Sequence, residues 1–304
     1  DLVSLNAELD SALGSVLQHH ARKAGVIYTL ADGDQPGVEM NLYRYVKGLG
    51  VEPLVCGNIK GLQDERRDPT TQEGFAKQWK QNVNMVTSFA DGSKVSMEQA
   101  CVANATGMRV EQRGMLGGDY EGHVDDLCHN GRYDVDRLRE MGGVVDYVVK
   151  MKPAPGVFVL GTCEDPIHQR YLKLYKMGDG PLYSFYAPYH LCYFEMPSSI
   201  ARAVDFRDAV LQAERPMVDV ITIAKKALKA GTALDCIGGY AVYGQCENHD
   251  VVRAENLIPQ GLAEGCVLRR DVAQDAALTW DDVEAPAETL AWSLRKEQDA
   301  LFPV

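Results

Sequence analysis

The chain has 304 residues, 46% of them hydrophobic and 24% charged, with a formal net charge of −12. That length holds one large domain or two ordinary ones. The acidic balance excludes nucleic acid as a partner, since phosphates demand clustered Lys and Arg. No apolar run approaches the roughly 20 residues that a membrane-spanning helix needs.

The chain opens at Asp1 with Leu2-Val3-Ser4-Leu5, followed by Asn6-Ala7-Glu8-Leu9-Asp10. This reads as the last strand of a sheet running into an active-site loop. The opening lacks the basic-then-apolar pattern of a secretion leader, so a cytoplasmic location is expected. The eight cysteines include no Cys-x-x-Cys pair, so free thiols are expected rather than a zinc knuckle or a disulfide framework.

Residues 11–25 have apolar positions at helical spacing, with Ser11 as a candidate cap and Gly25 as the stop. Val26 to Leu30 reads as a short buried strand and Asp32 to Gly37 as a loop. A second helix is expected over 37–49 and a strand over Pro53 to Ile59. From Lys60-Gly61 to about residue 84 the sequence turns polar and reads as a mobile insertion. Ser93 to Ala105 is the clearest helix, and residues 134–150 hold a short helix and a strand. Val157 to Leu160 is another strand, and Tyr183 to Glu195 an aromatic extended stretch. Strands alternating with helices predict a mixed sheet with helical cover. From Pro216 to about Glu284 the texture changes to short strands and frequent turns, which predicts a compact all-β module. The last twenty residues read as a closing helix. The expected fold class is therefore α+β. It comprises a substrate and catalytic domain over 1–215, a small β module over 216–284 and a helix over 285–304.

Two stretches of the β module carry a specific resemblance. They are Val220-Ile221-Thr222-Ile223-Ala224-Lys225-Lys226-Ala227-Leu228-Lys229-Ala230-Gly231-Thr232 and Asn256-Leu257-Ile258-Pro259-Gln260-Gly261-Leu262-Ala263-Glu264-Gly265-Cys266-Val267. With Leu278-Thr279-Trp280-Asp281-Asp282-Val283 they resemble a SAF domain, a β-clip module. Its glycines fall where tight turns require positive φ. A packing role and a direct ligand-binding role for it, the latter through Arg269 and Arg270, are both open.

Residues 1–205 resemble SAF-domain oxidoreductases of the homoserine dehydrogenase-like kind, a family that includes reductoisomerase-like enzymes acting on 1-deoxy-D-xylulose 5-phosphate. The marks are Leu5 to Asp10, Asp32-Gly33-Asp34-Gln35-Pro36-Gly37, Gly57-Asn58-Ile59-Lys60-Gly61, Ser88 to Lys94, Val102 to Gly107, Lys152 to Phe158 and Gly180 to Leu191. The resemblance implies NAD(P)H as cofactor and hydride transfer to a small polar carbonyl, phosphorylated in the reductoisomerase case. A homo-oligomer is also expected. No Gly-x-Gly-x-x-Gly follows a strand, so an N-terminal Rossmann domain is not expected within these residues. Alone, they are expected to bind no dinucleotide tightly.

The resemblance places Asn6, Ala7 and Glu8 at the nicotinamide edge. Ala7 stands where homoserine dehydrogenases have Lys, which speaks against homoserine as substrate. Lys94, near Asp91, resembles the family's later catalytic lysine, although not at the dehydrogenase spacing, and Lys60 is a second candidate. Carbonyl reduction needs such a donor or cation beside the developing oxyanion; the alternative for either lysine is a solvated surface position. Asp34, Gln35 and Asn58, with Tyr183, Tyr186 and His190, are assigned to the substrate pocket. On an extended strand Tyr186 and His190 would face the same side. Glu8, Asp32 and Asp34 are the candidate ligands for Mg²⁺ or Mn²⁺, which prefer oxygen donors; the alternative for the aspartates is turn chemistry. Three readings follow: an NAD(P)-dependent oxidoreductase, a reductoisomerase with NADPH and a divalent ion, and a non-catalytic sugar-acid binding or assembly module.

Overall fold

The computed structural model describes residues 1–304. Its first strand, β1 (Leu2–Ser4), pairs in parallel with β2 (Tyr28–Leu30) across helix α1 (Ala7–Ala24). The start of α1 is set by Asn6, whose side chain accepts from Leu9 N at 2.8 Å. Ser11, the expected cap, is instead a buried residue inside the helix. Helix α2 (Gln35–Gly48) follows and delivers the chain to β3 (Glu52–Lys60).

The segment expected to be a mobile insertion is helical. It forms α3 (Pro69–Trp79) and α4 (Val83–Ala90) before α5 (Ser93–Thr106). A capping box fixes the start of α3, with Asp68 and Thr71 bonding reciprocally and Pro69 in the first turn. Next come α6 (Val135–Met141), β4 (Val144–Val149), β5 (Gly156–Thr162), α7 (Pro166–Leu174), β6 (Leu182–Ala187) and α8 (Met196–Asp205). The expected aromatic strand thus ends at Ala187. The chain then turns, so Tyr186 and His190 do not share a strand face.

The principal sheet has the order β4-β3-β5-β6 and is mixed. Strands β3 and β4 run parallel, while β5 runs antiparallel to both β3 and β6. Every residue of β4 and β5 is buried, as expected of strands covered on both faces. Alternation divides the cover: Val145, Tyr147 and Val149 of β4 join the core around α5, while Val144 and Val148 join a second core with Leu127 and Leu138.

The C-terminal part contains β7 (Val218–Ala224), β8 (Val242–Asn248), α9 (His249–Ala254), β9 (Val267–Leu268), β10 (Val283–Glu284) and α10 (Leu290–Leu301). Residues 216–284 are mostly short strands and bridges, with the short helix α9 as the departure from an all-β module. The module has its own core around Val242, Ile258 and Leu278. Val218, Val220 and Cys246, however, pack into the same core as Val102 and Ala103 of α5. Helix α5 is therefore covered on all sides, with twelve of its residues buried. All eight cysteines are free.

Candidate active site

Five segments converge beside the amino end of α5. They are the first turn of α1, the loop between β2 and α2, the carboxyl end of β3, the first two turns of α5, and the turn after β6. Strand periodicity puts Asn58 and Lys60 on the same face of β3 as Cys56, which belongs to the core around α5. Helical spacing puts Lys94 and Glu98 on one face of α5.

Lys94 Nζ donates to Glu8 Oε1 at 2.9 Å. Lys60 Nζ lies 3.7 Å from Glu98 Oε2. Glu98 Oε2 also accepts from Asn58 Nδ2 at 3.0 Å. With its amide nitrogen turned toward that carboxylate, Gln35 donates to the same oxygen at 2.6 Å. Burial raises Glu98 above the usual carboxylate range, and Lys60 and Lys94 oppose the rise without cancelling it. For Lys94 burial works against the charge, but Glu98, Asp34 and Glu8 outweigh it and hold the ammonium above its ordinary value. Burial lowers His190, as do Lys60 and Lys94, while Asp34 opposes them; the imidazole is neutral at neutral pH.

Asp34 is the N-cap residue of α2, yet its side chain makes no capping bond. Its Oδ2 is buried without a partner, and its carboxylate lies with His190 and Cys192, the ligating atoms of the three within 4.8 Å of one another. Close backbone packing makes this possible. A Cβ on Gly33 would sit 2.7 Å from the Cys192 carbonyl oxygen, and one on Gly37 would sit 1.9 Å from that of Ala31. Cys192 N donates to Gly33 O at 2.8 Å, which locks the turn after β6 against the loop before α2.

The structure thus brings together Glu8, Asp34, Gln35, Asn58, Lys60, Lys94 and His190. The six other expected site residues are engaged elsewhere in the fold. Asp91 forms a buried ion pair with Lys225 at 2.8 Å, not with Lys94. Asp32 is paired with Arg202 and accepts from Asn41 Nδ2 at 2.8 Å, so it does not join Glu8 and Asp34 as a third oxygen ligand. Tyr183 is buried, its hydroxyl against Gly180. Tyr186 stacks edge-on against His123 with centroids 5.2 Å apart. Asn6 caps α1, and Ala7 is fully buried. Sequence reasoning missed Glu98 and Cys192. Both were signalled by spacing: Glu98 falls four residues after Lys94, and Cys192 two after His190.

Residues 33–196 match the family described as Oxidoreductase DRL, catalytic domain. The chain belongs to this family. The match covers more than half of the chain, and Asp34, Gln35, Asn58, Lys60, Lys94, Glu98, His190 and Cys192 all fall within it; Glu8 lies outside. The DRL assignment makes this an oxidoreductase catalytic domain and an enzyme. No curated protein matches the chain. No helix is long and apolar enough to cross a membrane.

Proposed function

We propose that the cluster around Lys94 is the substrate site of an NAD(P)-dependent oxidoreductase that interconverts a small polar carbonyl compound and its alcohol. The observation that carries this reading is a largely buried ammonium group, Lys94, paired with Glu8 at 2.9 Å and held charged by three carboxylates where the five segments converge. A carbonyl accepting hydride develops negative charge on oxygen, and a fixed cation in a site shielded from water stabilises that charge. The nicotinamide, when bound, supplies or accepts the hydride. Asn6 and Glu8 at the start of α1 fit its edge: the Asn6 amide is exposed, with its oxygen committed to the cap and its nitrogen left as a donor.

Because its neighbours hold Lys94 firmly protonated, its role is to bind and polarise the reacting oxygen with its charge. Glu8 orients the ammonium group. Glu98, gripped by Asn58, Gln35 and Lys60, fixes the floor of the site. Lys60 is a second cation for a phosphate or hydroxyl substituent on the substrate. The reductoisomerase reading shares this arrangement but requires Mg²⁺ or Mn²⁺, and the residues do not fit that requirement: Asp32 is engaged by Arg202, and the potential ligands grouped with Asp34 are an imidazole nitrogen and a thiol sulfur. Self-association belongs to the same proposal, supported by the exposed Tyr193, Phe194 and Phe206 on either side of α8.

The test, on the intact enzyme, is a panel of small aldehydes and ketoses, phosphorylated and plain, with NADH and NADPH and with product analysis. Substrate-dependent cofactor oxidation with an unrearranged alcohol as product supports this reading. An isomerised carbon skeleton would replace it with the reductoisomerase. Binding of a sugar acid with no cofactor turnover across the panel would replace it with the non-catalytic module.

A further inference from the structure

We propose that Asp34, His190 and Cys192 form a binding site for a borderline-soft divalent ion of the Zn²⁺ or Co²⁺ class, distinct from the oxygen-only site that Mg²⁺ or Mn²⁺ would take. The donor set is one carboxylate oxygen, one imidazole nitrogen and one thiol sulfur, all within 4.8 Å of one another. Such a mixed set suits zinc and its neighbours, whereas magnesium and manganese favour oxygen.

Three independent observations support the site. First, Cys192 Sγ and His190 Nδ1 are 3.5 Å apart. Two ligands each about 2.0–2.3 Å from a tetrahedral ion lie at roughly this separation. Second, Asp34 is 6% exposed and its Oδ2 has no partner. A buried carboxylate oxygen without a hydrogen bond is costly. It is the more telling at an N-cap, where the nearby backbone N–H groups ordinarily satisfy an aspartate. Third, the backbone is built to hold the pair: Gly33 leaves room for the Cys192 main chain, and Cys192 itself adopts φ 36°, a left-handed conformation rare for a residue with a side chain.

Charge balance permits a cation here despite the two lysines. Glu8, Asp34 and Glu98 set three carboxylates against Lys60 and Lys94, and metal binding would release the Cys192 thiol proton and add a further negative charge. Three protein ligands leave a fourth tetrahedral position open, as in zinc sites that bind water or substrate. The inference does not depend on the cofactor or substrate proposed above.

The test is a Co²⁺ titration of the full chain, followed by Zn²⁺ competition against a chromophoric chelator. The expected result is an ultraviolet thiolate-to-cobalt charge-transfer band that saturates at one ion per chain. Cys192→Ser should abolish the band, while Cys236→Ser, which alters a thiol beside Asn84, should keep it. His190→Ala should weaken Zn²⁺ at least about tenfold, the cost of disturbing even an outer-shell partner. A readout that needs no variant is alkylation of the wild-type chain with mass-spectrometric mapping, in which Zn²⁺ should shield Cys192. Absence of the band, an unchanged Zn²⁺ affinity in Cys192→Ser, or equal labelling of Cys192 with and without Zn²⁺ would overturn the proposal.

Discussion

Asp10 shows how one buried group couples this fold to pH. It lies on the inner face of α1, almost without solvent contact, and burial pushes its carboxyl up to about 6. In the unfolded chain an aspartate titrates near its ordinary value of about 3.9. Between those two values the folded state takes up a proton that the unfolded state does not. Stability is therefore complete below the unfolded value and declines as pH rises through about 6. Asp10→Asn should remove that decline, raising stability at neutral pH by on the order of 2–3 kcal/mol and leaving it nearly unchanged near pH 3. Urea melts at the two pH values check this; an unaltered midpoint at pH 7 would contradict it. Gly33 gives a second prediction at this scale. Gly33→Ala would drive a methyl group into the Cys192 backbone, and the 1–3 kcal/mol typical of overpacking is expected as a lower melting temperature.

Residue type and local context made several members of the cluster legible in the sequence. Lys94 sits beside a turn at the start of a helix, Lys60 beside a glycine at a strand end, and Asp34 beside glycine and proline. The structure gathers these residues. What the sequence did not disclose is which acids have partners elsewhere. Asp91 and Asp32 differ from Asp34 only through Lys225 and Arg202, which are 134 and 170 residues away in the chain.

At the element scale, α10 is fastened to the rest by polar contacts that no pattern of apolar residues announces. Gln298 sets its amide against α1, donating to Ala12 O at 3.1 Å and accepting from Val16 N at 3.1 Å. Arg295 Nη1 donates to Asp219 Oδ1 at 2.6 Å, and His249 Nδ1 lies 2.6 Å from Asp219 Oδ2. Burial alone would raise Asp219, but Arg295 and His249 prevail and hold it well below the usual carboxylate range. Its contribution to stability is therefore present above the unfolded value and lost as pH falls toward the folded one. Asp219→Ala breaks this buried pair and leaves Arg295 with Asp299 as its remaining carboxylate partner, so a loss of about 3–5 kcal/mol is expected in denaturant melts. A change below 1 kcal/mol would contradict this account of how α10 is held. The same scale explains the misread insertion at 60–84. Its helices expose much of their surface and lack a wide apolar stripe, so the usable signal was the Asp68-Pro69-x-Thr71 start rather than periodicity.

At the scale of the whole molecule, the sheet, α5 and the C-terminal module form a continuous structure. The module's β7 and β8 cover α5 on the side away from the sheet and share its core. This placement keeps the first turns of α5, and with them Lys94 and Glu98, fixed while polar segments from four other parts of the chain close around them. Alternation of strands and helices made the mixed sheet and the change of texture near Pro216 legible. The sharing of one core across that boundary was not, because long-range packing leaves no local pattern.

The central claim is that Lys94 stabilises charge on the reacting oxygen. The measurement that tests it most directly is the rate of hydride transfer in the intact enzyme bearing Lys94→Met, with folding verified by melting temperature and with substrate KM determined alongside. The account predicts a fall in kcat on the order of 10²–10³, the usual cost of removing one oxyanion donor, with a smaller change in KM. A variant that folds and turns over at the wild-type rate would contradict it.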